Sequence, residues 1–173
     1  MIKQTYIWPL LAALVITGTV NAQFLNLDLR IEPELRAEVV KPINFGIVIS
    51  NSGETKIELG EPNMGIFVLT SFRNQRITVD FNTPNALAHT NPEIEDIIDI
   101  KLEYSYVVGE DDYRRSQPVQ AETVTLIPNS TKNSSRSSDI WESIYFYVYG
   151  SLNVDAIPNG EYLGNIVMNI DYE

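Results

Sequence analysis

The chain has 173 residues, with 23 acidic against 12 basic side chains, a net charge of -11 and no cysteine. Because no thiol is present, the sequence excludes disulfide frameworks, cysteine-ligated zinc, iron–sulfur clusters and thiol nucleophiles. The acidic balance argues against nucleic acid as a partner, since phosphate binding depends on clustered lysine and arginine.

The first residues have the pattern of a secretory signal peptide. Lys3 gives a short positive start, an apolar run follows over 8–16, and the small residues 20–22 form a cleavage site. The run is shorter than the roughly 20 apolar residues that cross a bilayer as a helix. We therefore predict an exported protein in which residues 1–22 are a cleaved signal peptide and 23–173 form one domain. The alternative is a retained membrane anchor.

Beyond the cleavage site, apolar and polar residues alternate with a period of two in many short segments, as in β-strands with one buried face. Turn signals rich in Gly, Pro and Asn separate these segments. The predicted strands are, in chain order, Leu25–Ile31, Thr55–Leu59, Ile77–Phe81, Ile98–Val108, Thr123–Ile127, Ile140–Tyr149, Leu152–Ala156 and Tyr162–Tyr172.

Short strands at this spacing predict an all-β fold, an antiparallel β-sandwich. Two regions do not show the alternation of apolar and polar residues. His89–Asp96 is predicted as an irregular or short helical crossover, because Pro92 follows Asn91 as at a helix start. Pro128–Asp139 is rich in Ser and Asn and is predicted as a long exposed loop.

Five segments occur in an order typical of one protein family. They are Pro42–Gly46, Gly60–Leu69, Ile77–Leu87 with its Pro-x-x-Leu ending, Gly150–Val154, and Pro158–Tyr172 with its Gly-x-Tyr-x-Gly turn. Together they resemble the DUF4402 family of exported bacterial β-sandwich domains, which is similar to spore-coat-U-type and fimbrial subunits. The resemblance implies an immunoglobulin-like sandwich in the periplasm or at the cell surface, without catalytic residues to carry over.

An aromatic strand is the first candidate binding surface. Alternation over residues 141–149 places three tyrosines and a tryptophan on one face and Ile, Phe and Val side chains on the other. If the second face forms the core, the first points outward, where it would stack on sugars or contact a protein. The alternative is a strand buried on both faces. The candidate surface consists of Trp141, Tyr145, Tyr147 and Tyr149.

The segment 23–32 is a candidate edge or donor strand. Its apolar residues alternate directly after the cleavage site, a pattern typical of a strand that completes a neighbour's sheet. The alternative is pairing within its own domain, with a bend at Pro33. The candidate donor residues are Leu25, Leu27, Leu29 and Ile31.

The chemically active side chains form no recognisable constellation. His89 is the only histidine and has no Gly-x-Ser-x-Gly elbow to accompany it, so we expect a solvated loop residue. The acidic groups over 93–99 and 110–112 lack the spacing of a calcium loop, and we expect solvated loops; whether they bind calcium stays open. The sequence predicts no catalytic residue, no metal site and no cofactor.

These patterns predict a non-catalytic, exported structural or adhesive protein, in the periplasm, at the cell surface or outside the cell. Its expected partners are other subunits, including copies of itself, or a surface glycan, with no nucleic acid and no membrane span after cleavage. The fimbrial resemblance implies a subunit of a filament or surface assembly. The alternative function is a carbohydrate-binding module that uses the aromatic strand.

Overall fold

The structure, a computed structural model, describes residues 35–128 and 140–172. These residues form eleven β-strands and one 3₁₀ helix, with no α-helix among them, so the predicted all-β class is confirmed. The signal segment, the candidate donor residues and most of the predicted Ser-rich loop lie outside the described residues. The strands are β1 Arg36–Lys41, β2 Gly53–Ile57, β3 Gly65–Phe72, β4 Ile77–Asn82, β5 Ala86–His89, β6 Ile97–Val108, β7 Gln117–Pro118, β8 Thr123–Leu126, β9 Trp141–Val154, β10 Tyr162–Leu163 and β11 Val167–Tyr172; the 3₁₀ helix is Tyr113–Arg115.

The strands form two antiparallel sheets. The larger sheet has the order β1-β3-β9-β6-β5-β10, with β2 also paired to β9 and β7 to β6. The smaller sheet has the order β11-β4-β8. The 14-residue strand β9 is central: β3 and β2 pair along one of its edges, and β6 along the other.

One hydrophobic core joins side chains from both sheets. Phe81 of β4 stacks on Tyr104 of β6 with ring centroids 4.3 Å apart, and it meets Phe146 of β9 edge-on at 5.4 Å. Phe146 and Ile144 of the larger sheet, like Val79 of the smaller one, have no exposed surface. The alternating residues of β4 and β9 therefore face each other across the two layers, as expected for packed sheets.

Strand β9 corrects one predicted boundary. The sequence predicts separate strands before and after Gly150, whereas the structure has one strand running through it. Gly150 lies opposite Leu102 with φ +149°, and a Cβ at this position would overlap the carbonyl oxygen of Lys101. The glycine is needed because the neighbouring backbone passes close to it inside the sheet, and it does not mark a turn.

Several strands were not predicted from the sequence or differ from the predicted ones. The apolar residues of β3 do not alternate with polar ones, because the strand is covered on both faces. Strand β1 contains too many polar residues to show a clear alternation. The predicted strand Tyr162–Tyr172 is two strands: β10 pairs with β5 in the larger sheet and β11 with β4 in the smaller one. The chain therefore changes sheets between residues 163 and 167.

Candidate functional site

Tyr147, at the centre of the aromatic strand, is completely buried. It belongs to a cluster with Ile57, Met64 and Val107, on the face of β9 opposite to Phe146. Its hydroxyl donates a hydrogen bond of 2.7 Å to Oδ1 of Asp111, which satisfies the buried polar group. Burial, the hydrogen bond and the charge of Asp111 all raise the pKa of the Tyr147 hydroxyl.

Loops cover this face of β9. Phe45 and Leu59, from the segments before and after β2, pack on the Tyr147 cluster together with Tyr113 of the 3₁₀ helix. Gly60 lies directly against the ring of Tyr113, and a Cβ there would come within 2.5 Å of a ring carbon. This close approach brings the loops down onto the sheet, so that β9 is buried on both faces at Tyr147.

The four predicted aromatic residues do not form one exposed row. Tyr147 is inaccessible, and Tyr145 and Tyr149 are half-buried. Trp141, the first residue of β9, is 37% exposed and stacks on Phe72 of β3 with ring centroids 4.2 Å apart. At Tyr147 the structure agrees with the alternative of a strand buried on both faces, and Trp141 is the most exposed of the four side chains.

A second feature, which the sequence pattern did not indicate, is the outer edge of β11. Strand β4 pairs with one edge of β11, and within residues 35–128 and 140–172 no strand pairs with the other. Ile166, Met168 and Ile170 pack on the core between the sheets but are only half-buried. The free edge therefore borders an apolar flank that is incompletely covered.

Strand β1 also leaves core-facing apolar surface exposed. Val39 lies opposite Phe67, which lies opposite Phe146, and residues opposite each other in antiparallel strands share a face. Val39 therefore faces the side of the larger sheet that Phe146 buries, yet Val39 is 57% exposed and Phe67 half-buried. The sequence alone does not predict the exposure of Val39, since the position of a strand at the edge of a sheet depends on which distant strands pair.

The contacts of His89 stabilise the local fold. It ends β5, its Nδ1 accepts a hydrogen bond of 2.8 Å from the Asn91 backbone N–H, and its ring meets Tyr162 edge-on at 4.9 Å. Its Nε2 lies 3.4 Å from the carbonyl oxygen of Asn159. These contacts join β5 to the turn before β10.

Two residues of the second acidic group, 110–112, stabilise the local fold through hydrogen bonds. Asp111 accepts the Tyr147 hydrogen bond, and Oδ1 of Asp112 accepts one of 3.2 Å from the backbone N–H of Arg114, capping the 3₁₀ helix. Asn91 Oδ1 accepts from the N–H of Glu93 next to the first acidic group. Among the described residues, no three or more His, Asp or Glu side chains gather in a way that would hold a metal ion.

The part of the chain that the structure describes contains no helix with the length and apolarity to cross a membrane. No protein-family model, no curated protein and no solved structure matches the chain.

Proposed function

We propose that the chain is a non-catalytic, exported subunit that assembles with copies of itself or with other subunits at the cell surface, as the resemblance to DUF4402 domains implies. The observation that carries this proposal is the outer edge of β11, with which no described strand pairs, beside half-covered apolar residues. An unpaired strand edge is a template for another chain.

The strand order supports an immunoglobulin-like sandwich that accepts a further strand. Such a fold has strands A, B, E and D in one sheet and C, F and G in the other. Here β1, β3, β9 and β6 are neighbours in the first order, and β4 pairs with β11 as C pairs with F. The assignment also keeps the order along the chain, in which strands A to F correspond to β1, β3, β4, β6, β9 and β11. The position of strand G, beyond β11, is unfilled by any described strand.

Export and assembly are tested together on the full chain, expressed with its N-terminal segment. We expect the exported protein to begin at Gln23 on N-terminal sequencing and to form oligomers or fibres by light scattering and electron microscopy. The matched variant lacks residues 23–32, with the signal segment kept. It should remain folded by circular dichroism but monomeric. A full-length protein that is monomeric at all concentrations would contradict the assembly function.

The Trp141–Phe72 pair favours carbohydrate binding as the second candidate function. A stacked aromatic pair with an exposed ring has the surface that sugars pack on, and exposed Ile140 lies beside it. Binding is measured on a glycan array. Trp141→Ala should lose at least tenfold in affinity, whereas Tyr172→Ala, which removes another exposed aromatic ring, should not. Equal binding by both variants and the parent would count against this function.

A further inference from the structure

We infer that the end of the larger sheet at which β9 finishes binds a basic partner protein through exposed isoleucine and leucine side chains. Three segments meet there: the loop before β2, the turn between β5 and β6 with its flanking strand residues, and the turn between β9 and β10. They are residues 42–54, 86–99 and 151–163, and we call the surface that they form the β9 end. Binding at the β9 end requires no assembly at β11.

Strand pairing and hydrogen bonds join the three segments. Strand β2 begins opposite the last residue of β9, and β10 begins opposite the last residue of β5. The backbone N–H of Asn51 donates a hydrogen bond of 2.9 Å to the carbonyl oxygen of Asp155, and that of Thr90 donates one of 2.8 Å to the carbonyl oxygen of Glu161. The β9 end is therefore one connected surface.

The loop before β2 directs two isoleucines into solvent. Phe45 and Val48 pack against the buried apolar residues at the ends of β6 and β9. Between and beyond these anchors, Ile47 is completely exposed and Ile49 is 77% exposed. The loop thus buries part of its apolar surface in the domain and presents the rest outward.

Hydrogen bonds fix this loop on both sides of its exposed isoleucines. On one side, Oδ1 of Asn44 accepts a bond of 2.8 Å from the backbone N–H of Gly46, whose φ of +70° suits glycine. On the other, the Ser50 hydroxyl donates to the carbonyl oxygen of Ile157 at 2.9 Å and accepts from its N–H at 3.1 Å. A loop fixed in this way loses little conformational entropy when its side chains bind a partner.

Two further apolar side chains are exposed on the neighbouring strands. Leu163 of β10 and Ile97 of β6 both lie opposite Ala88 of β5, and residues opposite each other in antiparallel strands share a face. Leu163 is 58% exposed and Ile97 57%. Single exposed apolar residues are ordinary, but four large ones at one end, with Ile47 and Ile49, are typical of an interaction site.

The charge of the β9 end selects the partner. Its three segments contain no Lys or Arg, and all seven of their carboxylates are exposed: Glu54, Glu93, Glu95, Asp96, Asp99, Asp155 and Glu161. These carboxylates repel an anionic lipid surface and the same end of a second copy, and they attract lysine and arginine. The occupant that fits is a basic protein surface with an apolar pocket for the isoleucines.

Three synthetic peptides of about twelve residues test charge and apolar contact separately, by fluorescence anisotropy with the full chain. One alternates Lys with Leu, the second Lys with Ser, and the third Glu with Leu. We expect the Lys–Leu peptide to bind at least tenfold more tightly than either of the others, because only it matches both the carboxylates and the exposed apolar side chains.

A double variant locates the binding surface. Ile47→Ser with Ile49→Ser should bind the Lys–Leu peptide at least tenfold more weakly and keep its circular dichroism spectrum, because both side chains are exposed. The matched control is Ile127→Ser with Ile140→Ser, which changes two exposed isoleucines at the opposite end of the strands and should bind as the parent does. Equal binding by the parent and the Ile47/Ile49 variant would refute this surface.

Other outcomes overturn the choice of partner. Preference for the Glu–Leu peptide, or co-sedimentation with phosphatidylglycerol vesicles that the Ile47/Ile49 variant loses, would refute a basic protein partner, the second in favour of a membrane. Oligomers that disappear in this variant by light scattering, without peptide binding, would assign the β9 end to contacts between copies. No peptide binding by a parent whose oligomers persist in the variant would overturn the inference and leave the assembly function standing. A monomeric parent that binds the Lys–Leu peptide through Ile47 and Ile49 would support the inference and contradict assembly.

Discussion

The two faces of β9 are buried by different means. On one face, Ile144, Phe146 and Val148 pack against the smaller sheet without exposed surface or hydrogen-bonding groups. On the other, Tyr147 is equally buried, but loops cover it and Asp111 accepts its hydroxyl hydrogen. In a central strand, the alternation of residues therefore shows which side chains share a face. Whether that face is exposed depends on whether distant segments of the chain cover it.

The difference predicts unequal costs of substitution on the two faces. A face covered by a regular sheet depends on close packing, because the aliphatic and aromatic groups have no other interaction to lose. A face covered by loops depends both on packing and on satisfied polar groups. Substitutions on each face separate these contributions, measured as changes in the free energy of unfolding by denaturant titration.

The largest effect is expected from Phe146→Ala, on the face between the sheets. Truncation removes the ring that meets Phe81 and leaves a cavity, which costs about 3–5 kcal/mol for a buried phenylalanine. The control is Val167→Ala on β11, at a side chain that is 48% exposed, which should change stability by less than about 0.5 kcal/mol. Similar costs at the two positions would mean that the sheets are not closely packed around Phe146.

A smaller loss is expected at the polar end of the same face. Glu142 of β9 is 6% exposed, and its Oε2 lies 2.9 Å from Nε of Arg73. Arg73→Met should cost about 2 kcal/mol, since it deprives a buried carboxylate of an ion-pair partner, with the effect reduced because Arg73 is partly exposed. Lys56→Met, at the exposed Lys56–Glu58 pair, is the matched control and should have no measurable effect, because solvent screens the pair. Equal costs would show that Glu142 is well solvated.

On the tyrosine face, Tyr147→Phe keeps the ring and removes only the hydroxyl. Its hydrogen bond to the charged Asp111 should contribute about 1–2 kcal/mol, so the substitution should cost less than Phe146→Ala. Tyr172→Phe, at an exposed edge position, is the control and should have no measurable effect. If Tyr147→Phe were neutral, packing alone would hold the loops on this face.

The sequence was most informative where a strand has one solvent-facing side. Residues of β4 and β6 alternate clearly, and both strands were predicted within a residue or two of their bounds. It was least informative about Tyr147 and Gly150, because the burial of Tyr147 depends on loops from residues 42–64 and 109–116, and the conformation of Gly150 depends on Lys101. That no described strand pairs with the outer edge of β11 depends on long-range pairing, which leaves no local pattern in the sequence.

High pH distinguishes the two faces of β9 further, because the tyrosines of β9 all lie on the face of Tyr147. The pKa of Tyr147 is raised in the folded protein, and burial also raises the pKa of Tyr104 of β6, which lies in the core between the sheets. The stabilisation from a raised pKa is complete below the unfolded value of about 10 and is lost as the pH rises above it, since the unfolded chain releases the proton first. The raised pKa of Tyr147 should therefore lower the stability by about 1 kcal/mol between pH 10 and 11. Tyr147→Phe should make this decline shallower by about that amount, whereas Phe146→Ala should lower stability at every pH without changing the slope. A slope unchanged by Tyr147→Phe would mean that the hydroxyl ionises as readily in the folded protein as in the unfolded chain, and that the loops do not exclude water from this face.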